Sequence, residues 1–213
     1  DQVTNVLVTT KSKDILSQWY HEIVAAIRQF ASELQVLVYR AFDTDNEIHD
    51  FAATKRRKIL LCSRNRLASS APQLQKLFGA DSLIVDDEVH ELGAPSLRGP
   101  LANLYAACSW RLGLSATPER AYDDEGNQFI GRAIGPTVYS YGLTEAIRDG
   151  ILCEFDYEAL EYELTEEDKA RIKKVYATQK ARQESGNPMS REEVWIELSR
   201  VYKTAQQKPF VFA

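Results

Sequence analysis

Five short apolar segments, separated by stretches of helical periodicity, constrain the fold of this chain more than any other feature. The segments lie at residues 3–8, 35–39, 58–62, 82–85 and 111–115. Between the first two, apolar residues recur every three or four positions from Ile15 to Leu34, which is typical of an amphipathic helix. Strands that are apolar on both sides and alternate with helices build a parallel sheet covered on both faces. We therefore predict an α/β fold with such a sheet over residues 1–140.

The pattern changes beyond that point. Residues 121–135 are rich in Asp, Gly and Asn and predict a surface loop. Residues 141–164 predict a short helix followed by extended chain that leaves the first domain. Thr165 with Asp168, and Ser190 with Glu193, have the spacing of capping boxes and predict two helices in a connector over residues 165–207. Residues 208–213 predict a new strand.

Composition excludes several classes of protein. No apolar run approaches the ~20 residues that cross a bilayer, so no membrane partner is expected. Cys62, Cys108 and Cys153 lie far apart without a CxxC pair, which fits free thiols in a reducing cytoplasm. The 26 basic and 31 acidic residues argue against a general nucleic-acid coat protein, although they permit a local basic groove.

Acidic residues follow the fourth apolar segment directly. Asp86, Asp87 and Glu88 come first, and His90 lies two positions beyond them. Ligands of open parallel sheets bind at the carboxyl ends of the strands. One carboxylate there can hold a hydrated Mg²⁺, and its neighbour can accept a proton from an attacking water. The alternative is a solvated acidic turn.

Small hydroxyl residues follow the fifth apolar segment, in the run Gly-Leu-Ser-Ala-Thr-Pro-Glu-Arg at residues 113–120. Ser115 and Thr117 can lie beside the acids and form hydrogen bonds with them. The alternative is an ordinary strand end, at which the hydroxyls satisfy turn amides and Pro118 stops the strand.

Together these two runs resemble superfamily 2 helicases. Residues 87–90, Asp-Glu-Val-His, resemble motif II, and residues 115–117, Ser-Ala-Thr, resemble motif III in its long form. That form is similar to the branch of type III restriction-enzyme helicase subunits and of DNA-repair helicases related to the human XPB protein. Residues 6–19 resemble motif Ia, and residues 60–63 lie where motifs Ib and Ic fall. The resemblance implies a RecA-like lobe of the P-loop NTPase fold.

The resemblance also implies roles for single residues. Asp87 would bind Mg²⁺ through water, Glu88 would activate the hydrolytic water, and His90 would sense the γ-phosphate. The motif III residues would couple hydrolysis to movement: Ser115, Ala116 and Thr117. Asp86 stands where the family often has a small residue and is expected to be a supporting or solvated acid.

Polar residues after the first and third strands are candidates for nucleic-acid contact, because hydroxyl and cationic groups there can contact the phosphates of a bound strand. They are Thr9, Thr10, Lys11, Ser63 and Arg64. The alternative for Thr9, Thr10 and Lys11 is that this segment serves only to cap the following helix, which Ser12 or Asp14 would also cap. Trp19 matches motif Ia but lies on an apolar stripe, so we expect it to pack in the core.

The family's phosphate-binding loop does not occur here, since the chain has no Gly-Lys pair. In the family that loop would lie before Asp1, and the second RecA-like lobe would begin at the strand over residues 208–213. We thus expect the middle part of an ATP- and Mg²⁺-dependent DNA helicase or translocase, inactive alone and completed by its parent chain or by another chain. The motif III form favours DNA over RNA, in repair or restriction. The alternative is a catalytically silent RecA-like module that binds nucleic acid or protein.

Overall fold

The computed structural model describes residues 3–44 and 46–211, and the chain forms two compact units, residues 1–137 and 138–213. The first unit contains a five-stranded sheet in the order β2-β3-β1-β4-β5, and every pairing is parallel. Its strands are β1 (Asn5–Thr10), β2 (Leu37–Arg40), β3 (Lys58–Ser63), β4 (Ser82–Asp87) and β5 (Trp110–Leu114). The predicted α/β class is confirmed.

Helices cover both faces of this sheet. They are α1 (Lys13–Phe30), α2 (Glu47–Ala53), α3 (Arg64–Leu74), α4 (Pro95–Ala107) and α5 (Asp124–Ala133), with 3₁₀ helices at Ser32–Leu34 and Val89–Gly93. Leu7 of β1 belongs to the core shared with α2 to α5, whereas Val8 packs with Leu16 of α1. Successive strand residues point to opposite faces, and both faces are apolar here.

The prediction of a surface loop over residues 121–135 is wrong, because α5 lies within these residues. Asp123 caps this helix by accepting a hydrogen bond from the Gly126 amide at 2.8 Å. Phe129 and Ile130 are buried in the core. The residues that predicted a loop are the cap and first turn of the helix, because Asp is favoured at turns and at N-caps alike.

The second unit contains α6 (Leu143–Arg148), α7 (Glu166–Glu184), α8 (Arg191–Lys203) and α9 (Lys208–Val211). Both predicted capping boxes are confirmed, with Thr165 and Ser190 as the N-caps. None of the described helices is long and apolar enough to span a membrane.

The predicted strand over residues 208–213 is corrected in its described part, which is the helical turn α9. Residues 212 and 213 lie outside the described residues. A strand must pair to satisfy its backbone groups, and the described part of residues 138–213 contains no other strand. The predicted domain boundaries stay a prediction.

Because all strands are parallel, their carboxyl ends lie at the same end of the sheet and bring residues that are distant in sequence close together. In the β1–β4 register Thr9 lies opposite Asp86, and in the β4–β5 register Asp87 lies opposite Leu114. β5 forms one edge of the sheet. Alternate side chains of β5 leave an apolar row exposed at this edge: Trp110, Leu112 and Leu114.

Close backbone packing joins the turn after β4 to α5. A Cβ added at Gly93 would lie 2.5 Å from Arg120 Cδ and 3.0 Å from the Gly126 carbonyl oxygen. Backbone cannot move aside as a flexible side chain can, so overpacking should result. We expect Gly93→Ala to lower the free energy of unfolding by about 1–3 kcal/mol, measured by urea denaturation.

Gly131→Ala is the matched control for this prediction. Gly131 lies in α5, is exposed, and has open space around the added Cβ. Alanine should stabilise that helix by about 0.5–1 kcal/mol. The same sign of change in both variants would contradict the close-packing argument.

Candidate nucleotide-hydrolysis site

Residues 86–90, which we call the acid turn, end β4 with a backbone reversal at Glu88. Glu88 has φ 56° and ψ 51°, in the left-handed region. A residue other than glycine adopts that conformation only where its surroundings hold it, and such residues are concentrated at functional sites. The 3₁₀ helix Val89–Gly93 follows directly.

Arg64 binds the acid turn from the interior of the protein. Its side chain is buried, and its Nε donates to Asp86 Oδ1 at 3.0 Å. Its Nη2 donates to the same carboxylate and to the backbone carbonyls of Asp87 and Glu88, the latter at 2.9 Å. One guanidinium therefore fixes the carboxylate at the strand end and two consecutive peptide groups of the turn.

The remaining oxygen of Asp86 accepts a hydrogen bond from the Tyr105 hydroxyl. Burial raises the pKa of Asp86, and Arg64 and Tyr105 oppose that rise. Burial and the neighbouring carboxylate also raise the pKa of Tyr105 well above its usual value, so its hydroxyl stays protonated and donates. Asp86 is thus a supporting acid, and it is not solvated.

The residues expected to contact nucleic acid differ in their exposure. Arg64 is 1% exposed and its donors point into the protein, so it does not present a cation to phosphate. Thr9 and Thr10 are buried as well, because β1 lies in the middle of the sheet. Lys11 is exposed and Ser63 is half-buried, so these two remain accessible.

The structure brings motif II and motif III together. His90 Nδ1 lies 3.0 Å from Ser115 Oγ and 3.3 Å from Glu88 Oε2. The Thr117 amide donates to the same Ser115 hydroxyl at 3.1 Å. Ala116 and Thr117 are exposed. The serine hydroxyl, rather than that of Thr117, therefore joins the two motifs.

Asp87 accepts two hydrogen bonds that orient its carboxylate. Its Oδ2 accepts from Trp19 Nε1 at 2.9 Å, and its Oδ1 accepts from the Glu88 amide at 3.0 Å. Trp19 does pack against the smaller apolar cluster as expected, but its indole N–H also positions the acid. The apolar stripe of α1 gave no sign of this second contact.

The site fits a Mg²⁺ ion that keeps most of its waters. Among the described residues no group of three His, Cys, Asp or Glu side chains could hold a metal. A carboxylate can accept about four hydrogen bonds or metal contacts, and two of those at Asp87 are used. Mg²⁺ is commonly held by one or two carboxylates together with substrate phosphates, and Asp87 suits that arrangement.

A second polar cluster, missed from the sequence, ties the acid turn to the segment after motif III. Arg120 donates to the His90 carbonyl at 3.0 Å and to Asp123 Oδ2 at 2.7 Å. Arg98 donates to the Gly93 carbonyl at 2.6 Å and to Asp123 Oδ1 at 2.6 Å. Asp123 therefore joins two arginines, each of which binds the backbone after β4.

Residues 1–120, more than half of the chain, match the family described as the res subunit of type III restriction enzymes. The chain belongs to this family of superfamily 2 helicases. No curated protein matches it.

Two solved structures are similar to this helicase-family chain. The Hef helicase domain of Pyrococcus furiosus is 14% identical with a TM-score of 0.49; the match covers 99% of this chain and 45% of that one. A de novo designed protein with a P-loop NTPase fold is 12% identical with a TM-score of 0.34, over 71% of this chain and 98% of that one. This chain thus spans less than half of the Hef helicase domain.

The Asp123 cluster predicts a pH-dependent contribution to stability. Burial alone would raise the pKa of Asp123. The hydrogen bonds from Arg120, the Gly126 amide and Arg98 outweigh burial, so its pKa lies below the usual 3.8. A carboxylate with a lowered folded pKa stabilises the protein above its unfolded pKa, and this contribution is lost as the pH falls through the folded pKa.

We therefore expect Asp123→Asn to lower the free energy of unfolding at pH 7 by about 1.5–3 kcal/mol. The difference from wild type should narrow below about pH 4, in urea denaturation at a series of pH values. The exposed neighbour Asp124, changed to Asn, serves as control and should have little effect. A destabilisation by Asp123→Asn that is equal at all pH values would contradict the assignment.

Proposed function

We propose that this chain is part of an ATP-dependent DNA helicase or translocase of superfamily 2, in which it couples ATP hydrolysis to movement on DNA. The observation that carries the proposal is the contact of Glu88, His90 and Ser115 at the carboxyl ends of β4 and β5. The imidazole of His90 thereby links Glu88, the acid proposed to activate water, to the loop that contains Ser115. Family membership supports the same reading.

In this proposal Asp87 holds hydrated Mg²⁺, and Trp19 and the Glu88 amide orient its carboxylate. Bound Mg²⁺–ATP supplies the phosphoryl group and the metal charge that stabilises it. The Glu88 side chain is 43% exposed, so it can reach a water molecule and accept its proton. Because the backbone of Glu88 is left-handed, the side chains of Asp87 and Glu88 leave the chain in different directions. This suits separate roles in metal binding and proton transfer.

His90 and Ser115 serve as the link to movement. The His90 side chain is 29% exposed and lies between Glu88 and the motif III loop. A change in charge beside Glu88 alters the hydrogen bond that His90 makes with Ser115. Because the Thr117 amide is bound to the same hydroxyl, that change reaches the loop of residues 115–117.

Nucleic acid would bind along the ends of β1, β2 and β3. An open cavity of about 610 Å³ lies at the ends of β2 and β3, and its polar lining includes Ser63, Asn65, Arg66 and Ser69. Hydroxyl, amide and guanidinium groups of this kind contact the phosphates of a strand without reading its sequence. Lys11 follows β1 and is exposed. DNA is proposed over RNA on the form of motif III.

We also propose that the lobe is completed by chain that adds to β5. Strands of parallel sheets are normally covered on both faces, yet Trp110 and Leu112 are 54% and 42% exposed. An added segment with a phosphate-binding loop, from the parent protein or from another chain, would cover this row. Residues 1–213 alone should then hydrolyse ATP negligibly. The protein would act in the cytoplasm.

The alternative proposal is a silent RecA-like module that binds nucleic acid or protein. Such a module has no use for an oriented Asp87 or for the hydrogen bond between His90 and Ser115. Turnover that depends on Glu88 separates the two proposals.

In the full-length protein we expect Glu88→Gln to lower kcat for ATP hydrolysis by about 10²–10⁴. Glutamine keeps the size of the side chain but cannot accept the proton, so nucleotide binding should persist. Phosphate release and binding of a fluorescent nucleotide measure the two properties. Asp124→Asn, an exposed acid outside the acid turn, is the control. More than about a tenth of the wild-type kcat in Glu88→Gln would remove Glu88 from the role of base.

For motif III we expect Ser115→Ala in the full-length protein to reduce unwinding or translocation more than DNA-stimulated ATPase. The change removes the hydroxyl that joins His90 to the loop but leaves Asp87 and Glu88 in place. The lost hydrogen bonds are worth about 0.5–1.5 kcal/mol each, so the fold should survive. Both activities are measured on one preparation after its melting temperature is checked. Equal loss of both would place Ser115 in the chemical step.

A further inference from the structure

A chain of ion pairs leads from the protein surface to the acid turn. Lys11 Nζ lies 3.3 Å from Glu91 Oε1, and Arg64 Nη1 lies 3.0 Å from Glu91 Oε2. The Nη2 group of the same guanidinium binds Asp86 and the carbonyls of Asp87 and Glu88. Glu91 therefore has a surface cation on one oxygen and the support of the acid turn on the other.

The two links of this chain differ in strength because they differ in burial. The Lys11 side chain is 73% exposed and that of Glu91 is 29% exposed, whereas the Arg64 side chain is 2% exposed. An exposed ion pair is weak and easily exchanged. A buried, charge-assisted pair is strong and resists separation. Lys11 can thus change partner while the ion pair between Glu91 and Arg64 persists.

We propose that Lys11, Glu91 and Arg64 form a relay through which a nucleic-acid phosphate at Lys11 adjusts the acid turn. The inference rests on the proposed function and names the route of its regulation. A phosphate competes with Glu91 for the Lys11 ammonium. Glu91, released from Lys11, then acts with its full charge on Arg64 alone.

Arg64 divides its donors between Glu91 and the acid turn, so a stronger pull from Glu91 weakens its hold on the carbonyls of Asp87 and Glu88. The backbone of Glu88 is held in the left-handed region partly by these bonds. A small shift of the guanidinium therefore reorients the catalytic carboxylate. Arg64 and Glu91 are positioning residues, since neither is placed to contact the reacting atoms.

The decisive variant is Glu91→Gln in the full-length protein. Glutamine keeps the side-chain volume but no longer holds Lys11 as an ion pair. We expect affinity for a fluorescent single-stranded DNA 20-mer to rise about 1.5–5-fold in an anisotropy titration, because competition for Lys11 is removed. DNA stimulation of ATPase, taken as the ratio of stimulated to basal rate, should fall at least about fivefold.

Lys11→Met tests the other end and has a matched control. It should weaken DNA binding, and stimulation should stay low even at saturating DNA. Lys13→Met also removes one exposed lysine charge near the start of α1, but Lys13 pairs with Asp43, 3.0 Å away and outside the relay. Its loss should alter DNA affinity at most and leave the saturated stimulation at the wild-type value.

A purely structural role for Glu91 predicts a lowered melting temperature without any gain in DNA affinity, which would overturn the relay. Unchanged affinity and unchanged stimulation in Glu91→Gln would overturn it as well, and so would equal effects of Lys11→Met and Lys13→Met on saturated stimulation. The measurement of DNA affinity does not depend on ATPase activity. If Glu88→Gln retains turnover, the proposed function fails; if Glu88→Gln is inactive and Glu91→Gln behaves as wild type, only the relay fails.

Discussion

The buried pair of Arg64 and Asp86 is the interaction on which the site depends. Arg64 begins α3 directly after β3, and Asp86 lies in β4, while β1 runs between those two strands. The guanidinium thus crosses the end of β1 to reach its partner. Removing one member of such a pair would leave an uncompensated buried charge, which typically costs about 3–5 kcal/mol. With both members present, the arginine also holds two peptide groups of the acid turn.

Two further contacts give the acid turn its other supports. Trp19 reaches Asp87 from α1, on the opposite face of the sheet from Arg64. Arg120 reaches the His90 carbonyl from the segment after β5 and is itself bound by Asp123. The turn is therefore held from three directions by elements distant in sequence. Carboxylates held in this way meet ligands without first losing much conformational freedom.

Much of the fold could be predicted from the sequence because its signals are local. The strand segments and the helical periodicity gave the parallel α/β sheet, and the Thr165 and Ser190 capping boxes marked two helices. The two motifs also contain Glu88, His90 and Ser115, which the structure brings into contact. The prediction of a loop over residues 121–135 was wrong because Asp is favoured in turns and at helix caps alike, and Asp123 caps α5. Residues 208–211 form a turn of helix, since the described part of the second unit contains no strand with which they could pair.

What the sequence by itself determined, then, is the fold class and the family whose motifs contain the acids. Backbone hydrogen bonding has fixed periods, and these periods are visible in the order of apolar residues. Only the tertiary structure decided that Arg64 is buried against Asp86, that Trp19 binds Asp87, and that Glu91 lies between Lys11 and Arg64. Those partners depend on the strand order β3-β1-β4, which places distant residues side by side. A local sequence pattern does not predict the strand order, because that order follows from how whole strands and helices pack together.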